Sequence, residues 1–202
     1  MEPYLFVLDW DDTLFPTTWA LSNGLLQKPV EEIRAYLRPL DILLTHIFNK
    51  LNSLGTALIL TNATQEWIKV CKELLPMFSV AHATLPIHSV RDAYIEKHPL
   101  SHIQWKSMRL HSLLLPLKKT WKQLIFLGDG FPEYRAVIDL YKKIPSAQFK
   151  FIRFVESPTY VTIADQLETF LFNLPCLLKT PRHMDLRFRQ KYNPLSASVS
   201  QP

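Results

Sequence analysis

Two patterns of apolar residues alternate along the chain. Short unbroken runs recur at 4–8 (Tyr-Leu-Phe-Val-Leu), 56–61 (Thr-Ala-Leu-Ile-Leu-Thr) and 123–128 (Gln-Leu-Ile-Phe-Leu-Gly). Their length and continuity predict strands buried on both faces, as in a parallel sheet. A weaker run at 78–85 predicts a further strand, and the alternation over 149–155 predicts an edge strand. Between the runs, apolar positions three and four apart predict helices over 30–37, 40–54, 63–75, 131–143 and 160–174. Another helix is expected to be capped by Ser101 and to run through Ile103 to Leu115. Pro39 is expected to divide the first two helices, and Gly55 to end the second, whose inward face would hold Ile42, Leu43, Ile47, Leu51 and Leu54. Residues 14–23 and 86–101 are expected as loops. Strands alternating with helices predict an α/β protein: a three-layer, Rossmann-like fold with a mostly parallel five-stranded sheet and helices on both faces.

Composition narrows this picture without redirecting it. A chain of 202 residues, 48% hydrophobic and 20% charged, is an ordinary globular chain with room for one sizeable core. Residues 1–175 are expected to form a single domain and 176–202 a basic, flexible tail. That tail holds Lys179, Arg182, Arg187, Arg189 and Lys191 against Asp185, so it carries +4 of the net +5. A basic tail on a near-neutral body is a weaker sign of nucleic acid than a whole basic face, so a nucleic-acid partner is not the primary expectation, though the tail leaves it open. No apolar run has the length of a membrane span, and the first residues lack a basic leader. Cys71 and Cys176 are then expected as reduced core thiols, and the protein as cytoplasmic with no membrane partner.

The candidate chemistry lies at the strand ends. The first apolar run passes directly into Asp9, Asp11 and Asp12, three carboxylates within four positions. Such acids repel one another unless a cation sits among them, and hard oxygen donors suit Mg²⁺. The run at 56–61 ends in Thr61 and Asn62, and that at 123–128 opens into Gly128-Asp129-Gly130, with Glu133 following. In open parallel sheets, ligands bind beyond the carboxyl ends of the strands, where all three groups are expected.

Taken together, these residues resemble the haloacid dehalogenase-like superfamily of phosphotransferases over about 4–155. The motifs are Asp9-Trp10-Asp11-Asp12-Thr13, the strand ending in Thr61, a lone lysine for which Lys106 is best spaced, and Gly128-Asp129 with Glu133. The resemblance implies a phosphatase. Asp9 would be the nucleophile forming an aspartyl-phosphate, and Asp11 the general acid and base, its backbone carbonyl on the metal. Mg²⁺ would lie between Asp9 and Asp129, with Glu133 near, on the metal or one shell out. Thr61 and Asn62 would bind phosphate, and Lys106 would offset negative charge. An acid at Asp11 fits phosphatase or phosphomutase chemistry.

Several residues carry two readings. Lys97, Lys118, Lys119 and Lys122 rival Lys106; Arg109 can hold phosphate or face water; Trp10 can wall an entrance or pack in the core. Asp12 is expected to serve only the loop turn, and His88, His98, His102 and His111 to be scattered without forming a metal set. The intervals 13–61 and 61–106 are too short for a full inserted cap, so an open site is expected. That suits a phosphorylated macromolecule, such as a protein or a nucleic-acid end. Small soluble phosphoesters are one alternative, and a catalytically silent binding protein of the same fold is another.

Overall fold

The computed structural model describes residues 4–115 and 121–189. Six strands form one parallel sheet: β1 (Tyr4–Leu8), β2 (Thr56–Thr61), β3 (Ile87–Ser89), β4 (Gln123–Gly128), β5 (Gln148–Arg153) and β6 (Met184–Arg187). Their order is β3-β2-β1-β4-β5-β6. The helices are α1 (Thr17–Ser22), α2 (Val30–Leu54), α3 (Gln65–Leu74), α4 (Pro76–Ala81), α5 (Val90–Tyr94), α6 (Trp105–Leu114), α7 (Phe131–Tyr141) and α8 (Tyr160–Lys179). This is an α/β, Rossmann-like arrangement with six strands rather than the expected five.

Strand alternation explains the layering. Phe6, Leu8, Ile59, Ile125 and Leu127 share one core with α2, α4 and α8, whereas Leu5, Val7, Leu60, Leu124 and Phe126 share the other with α6 and α7. Successive side chains of a strand point to opposite faces, so a strand covered on both sides must be apolar throughout. The chain lays β2 and β3 on one side of β1, then returns to lay β4 on the other. The order therefore reverses between β1 and β4, where a parallel sheet opens its ligand crevice.

Four differences from expectation have identifiable causes. Pro39 does not divide α2, because it and Ala35 lie on the exposed side, where the carbonyl that loses its donor can meet water. The inward face accordingly comprises Leu40, Leu44, Ile47, Phe48 and Leu51, while Ile42 is exposed. Residues 78–85 form no strand. Residues 78–81 belong to α4 and 82–84 to the turn after it; α4 lacks a local side-chain cap but receives one from α2. Asp41, 3% exposed, accepts the Met77 N–H at Oδ2 (2.9 Å) and the Phe78 N–H at Oδ1 (2.8 Å). The third strand is instead β3, within a stretch expected to be loop, and the Ser89 hydroxyl caps α5 by accepting the Asp92 N–H. Similarly, residues 14–23 hold α1, and α6 starts at Trp105 without a cap from Ser101.

The fourth difference concerns 176–189. Here α8 continues to Lys179 past an exposed Pro175, and β6 pairs with β5 in the register Lys150↔Met184 to Arg153↔Arg187. β5 is thus an inner strand. Lys150, buried in β5, donates through Nζ to the Leu177 and Thr180 carbonyls at the end of α8. Residues 190–202 of the expected tail lie outside the described residues. Cys71 is buried as expected, but Cys176 is exposed. Among the described residues, no helix is long and apolar enough to cross a membrane.

Asp41→Ala leaves two N–H groups at the start of α4 without their charged acceptor. It is expected to destabilise the protein by about 2–3 kcal/mol. Denaturant unfolding should show a lowered midpoint with an unchanged slope.

Candidate metal and phosphate site

β1 hands its chain directly to the site. The Asp9 N–H donates to the Leu127 carbonyl (2.9 Å), extending the β1–β4 ladder by one residue and fixing Asp9 beside the end of β4. The chain then folds into a tight turn, in which the Leu14 and Phe15 N–H groups both converge on the Trp10 carbonyl at 2.9 Å. Asp12 takes the left-handed conformation (φ 54°) this turn needs, a region asparagine and aspartate enter more readily than other non-glycine residues. Its carboxylate accepts the Thr18 N–H (2.9 Å) and the Thr18 hydroxyl, tying the turn to α1. Trp10 is fully buried, with its ring stacked on Phe15 and packed against Phe78, so it belongs to the core rather than to an entrance.

Asp9, Asp129 and Glu133 converge. A carboxylate oxygen from each lies within 4.8 Å of the other two. Asp129 follows β4, and Glu133 stands in the first turn of α7, where its Oε2 accepts the Gly130 N–H (3.0 Å). Glycine is required at 128, since a Cβ there would lie 2.4 Å from Glu133 Cγ. The cluster also includes Lys106. This lysine of α6 is 2% exposed, donates to Asp9 Oδ1 at 2.5 Å and also contacts Glu133 Oε1. Among its rivals, Lys97 and Lys122 are exposed, while Lys118 and Lys119 lie outside the described residues.

Electrostatics follow from burying like charges together. Burial, reinforced by Glu133 and Asp129, pushes the Asp9 carboxyl well above the ordinary carboxylate range despite the opposing pull of Lys106. Burial and then the charge of Glu133 push Asp129 up to about 7. Burial disfavours the Lys106 ammonium, but Asp9 and Glu133 outweigh it and hold this group above the usual lysine range. Three converging carboxylates with one ammonium leave unbalanced negative charge. Hard oxygen donors in that state fit a divalent cation such as Mg²⁺, with Asp9, Asp129 and Glu133 as its candidate ligands.

Asp11 is held apart from this cluster. Its Oδ1 accepts the Trp67 indole N–H at 2.9 Å and the Thr17 hydroxyl at 2.5 Å. Neither donor could be found from the sequence, because Trp67 lies 56 positions away and Thr17 sits in a stretch without helical periodicity. Thr61 is buried at the end of β2, where its Oγ1 accepts the Ala63 N–H (3.0 Å). Register pairs Leu8 with Ile59, which sets Thr61 and Asn62 at the same end of the sheet as Asp9. Asn62 Oδ1 and Thr13 Oγ1 are buried without hydrogen-bond partners. Arg109 lies against His88, with Nη2 3.2 Å from Nδ1, and its buried Nε has no partner.

No protein-family model, curated protein or solved structure matches the chain. The functional reading therefore rests on the motif residues and on this geometry.

Asp129 rises from 3.8 to about 7 on folding, so metal-free protein is expected to lose stability as pH climbs through that interval. The unfolded chain releases this proton near pH 4, whereas the folded chain keeps it until about pH 7. Thermal melts in EDTA should show Asp129→Asn gaining on the wild type from pH 4 to 7, then holding a constant lead of about 2–4 kcal/mol. Adding Mg²⁺ at pH 8 should raise the wild-type midpoint and leave that of Asp129→Asn nearly unmoved.

Proposed function

We infer that the protein is a metal-dependent phosphomonoesterase of the haloacid dehalogenase-like type, forming an aspartyl-phosphate on Asp9. The observation that carries this reading is the buried convergence of Asp9, Asp129 and Glu133 with Lys106 at the β1–β4 crevice. Structural ion pairs seldom gather three acids around one lysine at a ligand crevice, because the surplus charge opposes folding.

The reaction needs little covalent machinery beyond a nucleophile and a proton carrier. An Asp9 carboxylate oxygen attacks phosphorus, and the bond to the leaving oxygen breaks. Asp11 supplies the proton to that oxygen, giving the free alcohol. Asp11, now ionised, takes a proton from an entering water, whose oxygen attacks phosphorus and breaks the bond to Asp9. Inorganic phosphate leaves, Asp9 is restored and Asp11 is protonated again. The Thr17 and Trp67 bonds both fall on Asp11 Oδ1, fixing the carboxyl plane and the direction of its other oxygen. Lys106 draws Asp9 toward its ionised form and offsets the charge gathering on the phosphoryl oxygens. Thr61 and Asn62 are the nearby candidates for holding the phosphoryl group. A bound Mg²⁺ would neutralise charge shared by the carboxylates and the phosphate. Between the Asp9 loop and α2 lie only α1 and one 3₁₀ turn, which suits a phosphate carried on a large molecule.

Hydrolysis of para-nitrophenyl phosphate by the full chain is expected to require Mg²⁺, to stop with EDTA, and to fall at least about a hundredfold in Asp9→Asn. Equal rates for wild type and Asp9→Asn would sink this mechanism. Trp67→Phe removes one donor to Asp11 and is expected to lower kcat about three- to tenfold while leaving KM close to that of the wild type.

A further inference from the structure

A cleft of about 550 Å³ adjoins the carboxylate cluster and shares Asp129 with it. Its lining comes from the β4–α7 junction, with Phe131, and from the carboxyl ends of β5 and β6, with Arg153, Arg187, Phe188 and Arg189. Arg153 is already engaged: its guanidinium stacks 4.0 Å over the Tyr134 ring and pairs with Asp185. Arg187 and Arg189 are exposed, and among the described residues neither meets an acid. Glu156 is the cleft's acid besides Asp129. Phe131, a large aromatic at the start of α7, is 57% exposed beside the site. The charge that the sequence assigns to a remote tail is thus built partly into the sheet, in a cleft that shares Asp129 with the carboxylate cluster.

Arg187 ends β6, and the Phe188 N–H still donates to the Arg153 carbonyl (2.8 Å), so the pairing runs one residue past the strand toward Arg189. Residues two apart on extended chain lie about 6.6 Å apart, comparable to the step between successive phosphates of an extended polynucleotide. Arginine for the backbone and exposed aromatic rings for the bases make up the chemistry that grips single strands without regard to sequence. A phosphopeptide would need neither the rings nor the repeated anion step. We propose that this cleft receives single-stranded nucleic acid, whose terminal phosphate enters the carboxylate site while Arg187 and Arg189 hold its backbone and Phe131 stacks against a base. The proposal rests on the phosphatase reading and names its substrate class.

The test compares hydrolysis by the full chain of a terminally phosphorylated single-stranded oligonucleotide, a mononucleotide, a phosphoserine peptide and para-nitrophenyl phosphate. The oligonucleotide is expected to have a kcat/KM about tenfold or more above that of the mononucleotide and to lose that advantage as salt rises. In Arg187→Glu/Arg189→Glu, its kcat/KM should fall at least about tenfold further than that of the aryl phosphate. Both arginines are exposed, and circular dichroism checks the fold; Phe131→Ala provides a second variant with the same expected direction. Equal kcat/KM for oligonucleotide and mononucleotide, preference for the phosphopeptide, or unchanged selectivity in both variants would overturn the proposal. Binding of a fluorescent oligonucleotide to Asp9→Asn, followed by anisotropy, separates the two readings. Binding abolished by the arginine reversals supports the cleft even where no phosphate is hydrolysed, and no binding overturns it.

Discussion

The pairing of Lys106 with Asp9 and Glu133 is the constraint around which this molecule is arranged. Three carboxylates are brought together in a buried place at a cost that a counter-charge offsets, and among the described residues the ammonium that contacts two of them comes from a helix that must pack to deliver it. α6 therefore has to bury its flank, with Trp105 and Leu110 in the same core as Val7 and Phe126, so that Lys106 reaches Asp9. Packing and electrostatics are here one requirement: the helix that completes a hydrophobic layer also makes the acid cluster tolerable. One positive charge against three negative ones still leaves a deficit, which makes the site receptive to a cation.

The sheet order explains why the cluster forms at β1 and β4. Their carboxyl ends face the gap left where the chain reverses its direction of building, so side chains there are close neighbours without helices wedged between them. Glycine then sets the spacing. At position 128 any side chain would collide with Glu133, and so the last residue of β4 yields its space to the first turn of α7.

What could be read from the sequence follows from how local each cause is. β1, β2 and β4 were legible because burial on both faces leaves an unbroken apolar run. Asp9, Asp129 and Glu133 stood out because each follows or closely trails such a run, and Lys106 was distinguished from other lysines by spacing alone. The misread segments depend on distant partners. Residues 78–85 look extended, yet a carboxylate 37 positions away supplies the cap that favours a helix. β6 escapes notice because its Met-Asp-Leu-Arg is half polar and mostly exposed, held by backbone pairing, by the Arg153–Asp185 pair and by Met184 against the core rather than by a continuous apolar run. The supports of Asp11 are hidden for the same reason: an indole from α3 leaves no periodic trace near the aspartate it orients.

β6 also has a consequence for how the protein comes into being. The carboxylate cluster is complete once Glu133 has been synthesised, whereas the outer wall of the neighbouring cleft waits for β6, beyond the whole of α8. In order of synthesis, the acids and their lysine thus precede the arginine-bearing edge. During that interval the outer side of β5 is an open strand edge, a surface on which another chain could pair. Lys150 bears on that edge. By fastening the end of α8 to β5, it brings the following residues back alongside the strand they are to cover.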